Sequence, residues 1–250
     1  MGRLPNAPLQ EVIFEVRWNL DVQDGTNLLY DPKFEVGLGE LRHLVKKRFP
    51  EVKRKFHEQI PVQLLPHTAS WQFRPRPGGW PLIQLGHGVL TVNDTDVDYD
   101  WKKVFFPLVK DALHWLEQAY EGAPTFSYAE LRYIDSVRTN EHAFNGWDNF
   151  VSGNLNVSVN NQFKAPGKVL DVGLHQVFEL EHGGQLLVAV NSGKREKDDA
   201  MIWQTAVQQP GPFDKASLLD WADGAHRMSH DLFEQLCKPD FHERFTRPRG

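Results

Sequence analysis

Apolar and polar positions first alternate over residues 12–18. Val12, Phe14, Val16 and Trp18 share one side of an extended segment, Glu15 and Arg17 take the other, and Ile13 continues the apolar run at the start of a sheet. The period then lengthens. Phe34, Leu38, Leu41 and Val45 are spaced for one helix face, Asp31-Pro32 reads as N-cap and first helical residue, and Pro50 ends the run. Gly37 and Gly39 weaken this helix, each by up to about 1 kcal/mol relative to Ala. Strands are expected at Val62–Leu65, Trp71–Arg74 and Leu82–Asn93, with Arg76-Pro77-Gly78-Gly79-Trp80 as a hairpin turn. Gly86 and Gly88 lie on one face of the long third strand and predict a bulge or a close backbone approach. The clearest helix runs from about Val104 to Tyr120, with Leu108, Ala112, Trp115, Leu116 and Ala119 on one face and Gly122-Ala123-Pro124 closing it.

The order then begins again. Tyr128–Arg138 reads as a strand, Trp147–Val151 as a short helix, and Leu155–Val159 and Val169–Leu180 as strands. Gly183-Gly184 turns the chain into Leu186–Asn191, Met201–Gln208 adds a strand, and a long helix covers about Ser217 to Cys237. Each half is strand, helix, antiparallel strands, helix, and the glycine pairs at 78–79 and 183–184 occupy equivalent places. The expected fold is therefore α+β and pseudo-duplicated: an antiparallel sheet with helices packed on one face. The halves are residues 1–125 and 126–250, forming one compact unit.

Composition narrows the class. Eight Trp, sixteen Phe and five Tyr in 250 residues need a core to bury them, which excludes a disordered chain. Cys237 is the single cysteine, so a disulfide scaffold and a Cys-rich zinc module are excluded. No stretch reaches the roughly 18 uncharged apolar residues of a membrane span. The opening Met1–Val12 lacks an apolar signal-peptide core, and Asn6 stands where N-myristoylation wants Ser or Thr. The expectation is a soluble, cytoplasmic protein without a membrane partner.

Motifs that would carry chemistry are broken. Asp94-Thr95-Asp96-Val97-Asp98-Tyr99-Asp100 has Tyr99 where a calcium loop needs Gly and Phe105 where it needs Glu, so it reads as an acidic turn that caps the following helix. His226 and His230 lie four apart on a helix, but Arg227 occupies the place of a metalloprotease's Glu. Cys237 falls about 10 Å further along the axis, too far to share one zinc. Gly167-Lys168-Val169 and Gly193-Lys194-Arg195 lack a P-loop hydroxyl, and Gly37-Leu38-Gly39 lacks the third glycine of a dinucleotide fingerprint. There is no Gly-x-Ser-x-Gly elbow, and Glu130 and Asp135, five apart on a strand, point to opposite faces. No catalytic residue, metal ligand or cofactor is assigned.

One charge feature stands apart. Arg42, Lys46, Lys47, Arg48, Lys53, Arg54 and Lys55 accompany a single acid, Glu51, inside a chain of net charge -5. Such a patch can neutralise phosphates or dock an acidic protein surface. It also suits a solvated helix end, where cations complement the helix dipole. Lys46, Lys47, Arg48, Lys53, Arg54 and Lys55 are the candidate contacts, expected on an exposed helix end and the loop after it. Phe49 and Phe56 fit base stacking and core packing equally.

Three passages resemble a known family. Leu4-Pro5-Asn6-Ala7-Pro8-Leu9-Gln10-Glu11-Val12-Ile13-Phe14-Glu15-Val16-Arg17 resembles the opening of a sporadically distributed, largely uncharacterised bacterial protein family of about 250 residues. Pro81-Leu82-Ile83-Gln84-Leu85-Gly86-His87-Gly88-Val89-Leu90-Thr91-Val92-Asn93 resembles its central strand motif. Tyr99-Asp100-Trp101, Leu131-Arg132-Tyr133-Ile134-Asp135 and Trp221 to Phe233 are similar to its later, looser blocks. The resemblance implies a shared fold and a bacterial origin but no activity; the family's patchy distribution is associated with mobile elements and anti-phage defence. The first functional expectation is thus a non-catalytic binding or assembly subunit with a protein partner. The alternatives are a nucleic-acid or nucleotide binder using residues 42–55, and a hydrolase with an acid/base site that no motif marks.

Overall fold

A computed structural model describes residues 4–22, 25, 27–57, 60, 64–95, 99–141, 144–158, 162–164 and 166–247. Strand β1 (Leu9–Trp18) opens the chain, and β2 (Asp21–Val22) and β3 (Leu29–Tyr30) pair with each other. Helix α1 (Phe34–Val45) leads into a meander of β4 (Glu51–Arg54), β5 (Ala69–Arg74), β6 (Leu82–Gly86) and β7 (Val89–Asp94), then helix α2 (Phe106–Ala119). The second half repeats the plan with β8 (Phe126–Arg138), α3 (Trp147–Asn154), β9 (Gly173–Glu179), β10 (Gln185–Arg195), β11 (Asp198–Phe213) and α4 (Lys215–Leu236), and adds α5 (Pro239–Thr246).

Nine strands form one antiparallel sheet in the order β4-β5-β6-β7-β1-β8-β11-β10-β9. From β1 the order runs outward through β7, β6, β5 and β4; from β8 it runs outward through β11, β10 and β9. Each half thus sets its opening strand beside the last strand of its own meander, and the pseudo-duplicated α+β plan holds. By contacts the chain divides into two compact units: residues 12–131 with 208–223, and residues 1–11 with 132–207 and 224–250.

In the unit built on residues 12–131, Val12, Phe14, Val16 and Trp18 are buried, and the first three stand opposite Asp94, Val92 and Leu90. Their face meets the helices: the Trp18 ring lies edge-on to Tyr120, 5.5 Å away, at the end of α2. The expected weakness at Gly37 is a packing requirement instead. A Cβ there would come within 2.4 Å of the Tyr120 ring, so only glycine lets α1 approach. The opposite sheet face carries a polar ladder. Gln72 donates to Gln84 (2.9 Å), and Gln84 donates to Thr91 and Asn93 (both 3.0 Å).

Several expected elements differ. The long strand Leu82–Asn93 is two strands, turned at His87 and Gly88, where Gly88 has φ +70°. A Cβ on Gly86 would lie 2.0 Å from the Thr68 carbonyl, which is the close backbone approach expected there. Helix α1 begins at Phe34 rather than Pro32, with Lys33 at the cap, because Asp31 is buried in other bonds described below. A π-helical turn, Trp101–Phe105, precedes α2, and Asp100 caps it by accepting from the Lys103 amide at 2.8 Å. Asp96 to Asp98 lie outside the described residues, as do Val62, Gln63 and Val159. Leu64 and Leu65 are not in a strand, and Leu155 makes an isolated bridge to Cys237 instead of opening one.

In the unit built on residues 132–207, Trp203 of β11 stacks near Phe233 of α4 (6.3 Å, 22°) and lies 6.1 Å from Phe241 of α5. Phe241 and Phe245 meet edge to face at 4.9 Å, so α5 is an aromatic clamp on this end of the core. Along α4 the buried stripe is Leu218, Ala222, Ala225, Ser229 and Leu236, while Met228 is 38% exposed.

Candidate functional site

The two outermost strands of the sheet carry the surface features a partner would meet. At the β4 edge, Lys46, Lys47 and Arg48 follow the end of α1, Lys53 and Arg54 are within β4, and Lys55 comes just after it. Lys53 and Arg54 are therefore strand residues and not part of a loop: Lys53 stands opposite Gln72 and Arg54 opposite Trp71. Lys46, Lys47, Arg48, Lys53 and Lys55 are exposed, whereas Arg54 is half-buried with its guanidinium 6.0 Å over the Trp71 ring. Arg48 donates to Asp111 at 2.8 Å and Lys46 lies 3.5 Å from His43 Nδ1. Phe49 is 1% exposed and edge-on to Trp115, so it is a core residue that no base can stack on.

The β9 edge has the opposite character. Strand β9 pairs with β10 in unbroken register from Gly173↔Asn191 to Glu179↔Gln185. It holds neither Lys nor Pro, and Val177 and Phe178 are 50% and 46% exposed. Hydrogen bonding shows which main-chain groups face outward. Leu180 N donates to Gly184 O (2.8 Å) and Ser192 N donates to Val172 O (2.9 Å), so Val172 and Leu180 face the β10 side. Because direction alternates along an antiparallel strand, Leu174, Gln176 and Phe178 do the same, and Gly173, His175, Val177 and Glu179 point away from the sheet. Leu170, 83% exposed, and Phe163, 65% exposed, add apolar surface in the same unit.

Two groups of buried titratable residues stand out, one in each unit. Asp31 is 7% exposed and accepts from Trp18 Nε1 (3.1 Å), Tyr120 OH (2.9 Å) and the Lys33 amide (3.0 Å). Its own amide donates to His87 Nδ1 at 3.2 Å. That bond leaves the proton of the neutral imidazole on Nε2. Burial lowers the His87 pKa, and the nearby Asp31 and Glu35 offset this in part. Burial first, then the Asp31 charge, pushes the Tyr120 hydroxyl far above its ordinary range. No local motif brings these four together, since the partners lie 13, 56 and 89 residues apart.

The second cluster surrounds Asp135, which is 5% exposed and whose pKa burial raises to about 7. Among the described residues nothing donates a hydrogen bond to its carboxyl. Burial, with the Asp135 charge, pushes the Cys237 thiol up to about 12, so it is packed and unreactive. His226 Nδ1 is 2.8 Å from Tyr133 OH and His230 Nε2 is 3.3 Å from Glu234. The two imidazoles thus turn to separate partners, their centroids 6.4 Å apart. Among the described residues no three metal-ligating side chains come together, and no helix is long and apolar enough to cross a membrane. Glu130 bonds Tyr128 (2.6 Å) and Gln208 (2.8 Å) and forms no pair with Asp135.

No protein-family model, curated protein or solved structure matches the chain.

Proposed function

We propose that the chain is a non-catalytic binding or assembly subunit of a bacterial complex, and that it holds a protein partner by accepting an extended strand at the β9 edge. One observation supports this reading above the others. Strand β9 offers a regular seven-residue edge with outward main-chain groups and half-exposed Val177 and Phe178 beside them. Strand addition draws affinity from main-chain hydrogen bonds and specificity from alternate side chains, and β9 supplies both. The bacterial, defence-associated setting comes from the sequence resemblance. Val177→Pro tests the reading, because it deletes an outward N–H and leaves the bonds to β10 in place. A protein that co-purifies with the wild-type chain should be lost from this variant while circular dichroism stays unchanged. Retention of the same protein by the folded variant would overturn the reading.

A second reading, nucleic-acid binding at the β4 edge, is supported by Lys47, Lys53 and Lys55. They are exposed and, among the described residues, have no acidic partner. Ammonium groups in that state are available to phosphates, and binding through them would weaken steeply with salt.

A further inference from the structure

We infer that the strand added at the β9 edge is β9 of a second copy of this chain, antiparallel to the first, with the two-fold axis passing beside Gln176. This rests on the reading of β9 as a docking edge and names its occupant. An antiparallel strand pair satisfies every main-chain group only when outward-facing residues stand opposite outward-facing residues. In β9 these are Gly173, His175, Val177 and Glu179, spaced symmetrically about Gln176. Turning the strand about that point sets His175 against Val177 of the other copy and Gly173 against Glu179. All seven residues of the strand are then paired, and each outward amide and carbonyl has a partner.

The side chains agree with the same axis. Leu174, Gln176 and Phe178 stand opposite the buried Val190, Val188 and Leu186 of β10, so they share its core-facing side. Their order is apolar, amide, apolar. The two-fold therefore places Leu174 against Phe178 of the second copy, and amide against amide at the centre. Apolar cross-strand pairs of this kind stabilise antiparallel sheets. Charge is compatible as well. The only carboxylate in the strand, Glu179, faces Gly173, and the two copies of Glu179 end about 20 Å apart at roughly 3.3 Å per residue. An isologous contact also closes on itself, so both edges are covered and no filament grows.

Cysteine trapping reads this register directly. Residue 176 occupies a pair without main-chain bonds between its members, where facing Cα atoms are about 4.5 Å apart and within disulfide range. Under mild oxidation Gln176→Cys should form a covalent dimer. Glu179→Cys should not, and the wild-type chain, with Cys237 buried, supplies the blank. Sedimentation of the untagged chain should show a monomer–dimer equilibrium that Val177→Pro shifts to monomer while the circular dichroism is kept. A wild-type chain that stays monomeric into the hundreds of micromolar, with no trapped Gln176→Cys dimer, overturns the inference. So does a dimer that Val177→Pro leaves intact. Either result bears on the second copy alone. The broader reading of the β9 edge is decided separately, by whether Val177→Pro loses a co-purifying protein of different mass.

Discussion

Edge strand β4 is four residues long and carries Lys53 and Arg54, with Lys55 just behind, whereas edge strand β9 is seven residues long and shows Val177 and Phe178 about half exposed. Short length and lysines are the usual means by which a sheet edge is kept from pairing with another chain. The β4 edge uses both and the β9 edge uses neither. The buried aspartates repeat the contrast. Asp31, in the unit with β4, accepts three hydrogen bonds, while Asp135, in the unit with β9, has no donor among the described residues. At the two aspartates and the two edge strands the units differ: Asp31 is bonded and β4 is protected, while Asp135 and β9 are neither, although His87 Nε2 beside Asp31 is itself buried without a partner among the described residues. Departures of this kind are retained against a stability cost, which is why they direct attention to function.

The largest expected effect comes from making the same change at both aspartates. The folded-state pKa of Asp135, about 7, lies above the ordinary carboxylate value. The folded chain therefore binds more protons than the unfolded one between about pH 4 and 7, and stability falls as pH rises through that window. Asp135→Asn removes the ionisation and should stabilise the protein at pH 8 by roughly 4 kcal/mol, at 1.36 kcal/mol per pKa unit. The gain should vanish near pH 4. At Asp31 the sign reverses. An amide nitrogen in place of the oxygen shared by Trp18 Nε1 and Tyr120 OH would face two donors, so Asp31→Asn should destabilise by about 2–3 kcal/mol. Urea unfolding of both variants at pH 4 and pH 8 checks the pair, and equal signs at pH 8 would remove the contrast.

His87 gives a smaller effect with its own pH window. Its folded-state pKa is lowered by burial, so below the ordinary histidine value the unfolded chain takes up the proton first, and stability falls as pH drops from about 6.5. His87→Gln keeps an acceptor for the Asp31 amide and should flatten that acid limb. A limb of unchanged slope in the variant would assign the acid loss to other groups.

The order of strands and helices was legible because β1 and α2 each keep one period over many residues. The turn at His87 and Gly88 was not, since every residue from Leu82 to Asp94 is buried and the glycines at 86 and 88 fit a bulge in one long strand as well as a turn between two. Asp31-Pro32 has the local form of a helix start, but donors at Trp18 and Tyr120 claim the carboxylate, and tertiary bonds outweigh a cap. Helix α5 did leave a signal, Pro239 at its first position with Phe241 and Phe245 four apart. The basic segment was visible as charge but misread as a loop, because Val52 is its only apolar residue between Pro50 and Phe56. The edge at β9, proposed above as the docking edge, has no motif at all. Its significance lies in which main-chain groups face outward, and register sets that.

The smallest effect on stability is expected at the protected edge. Reversing Lys46, Lys47, Lys53 and Lys55 to Glu changes exposed side chains, whereas Phe34, Leu41, Val45 and Phe49 form the buried face of that segment. Each reversal should move stability by no more than about 0.5 kcal/mol. What it should change is electrostatics. If this edge binds nucleic acid, the reversed chain should lose a salt-sensitive interaction, because every phosphate contact removed takes counterion release with it. If it docks an acidic protein, association should slow more than dissociation quickens. Should the reversed chain keep every interaction at low ionic strength, the lysines serve the edge alone. Their work is then to keep β4 from pairing, the task that β9, with no lysine and two half-exposed apolar side chains, leaves undone.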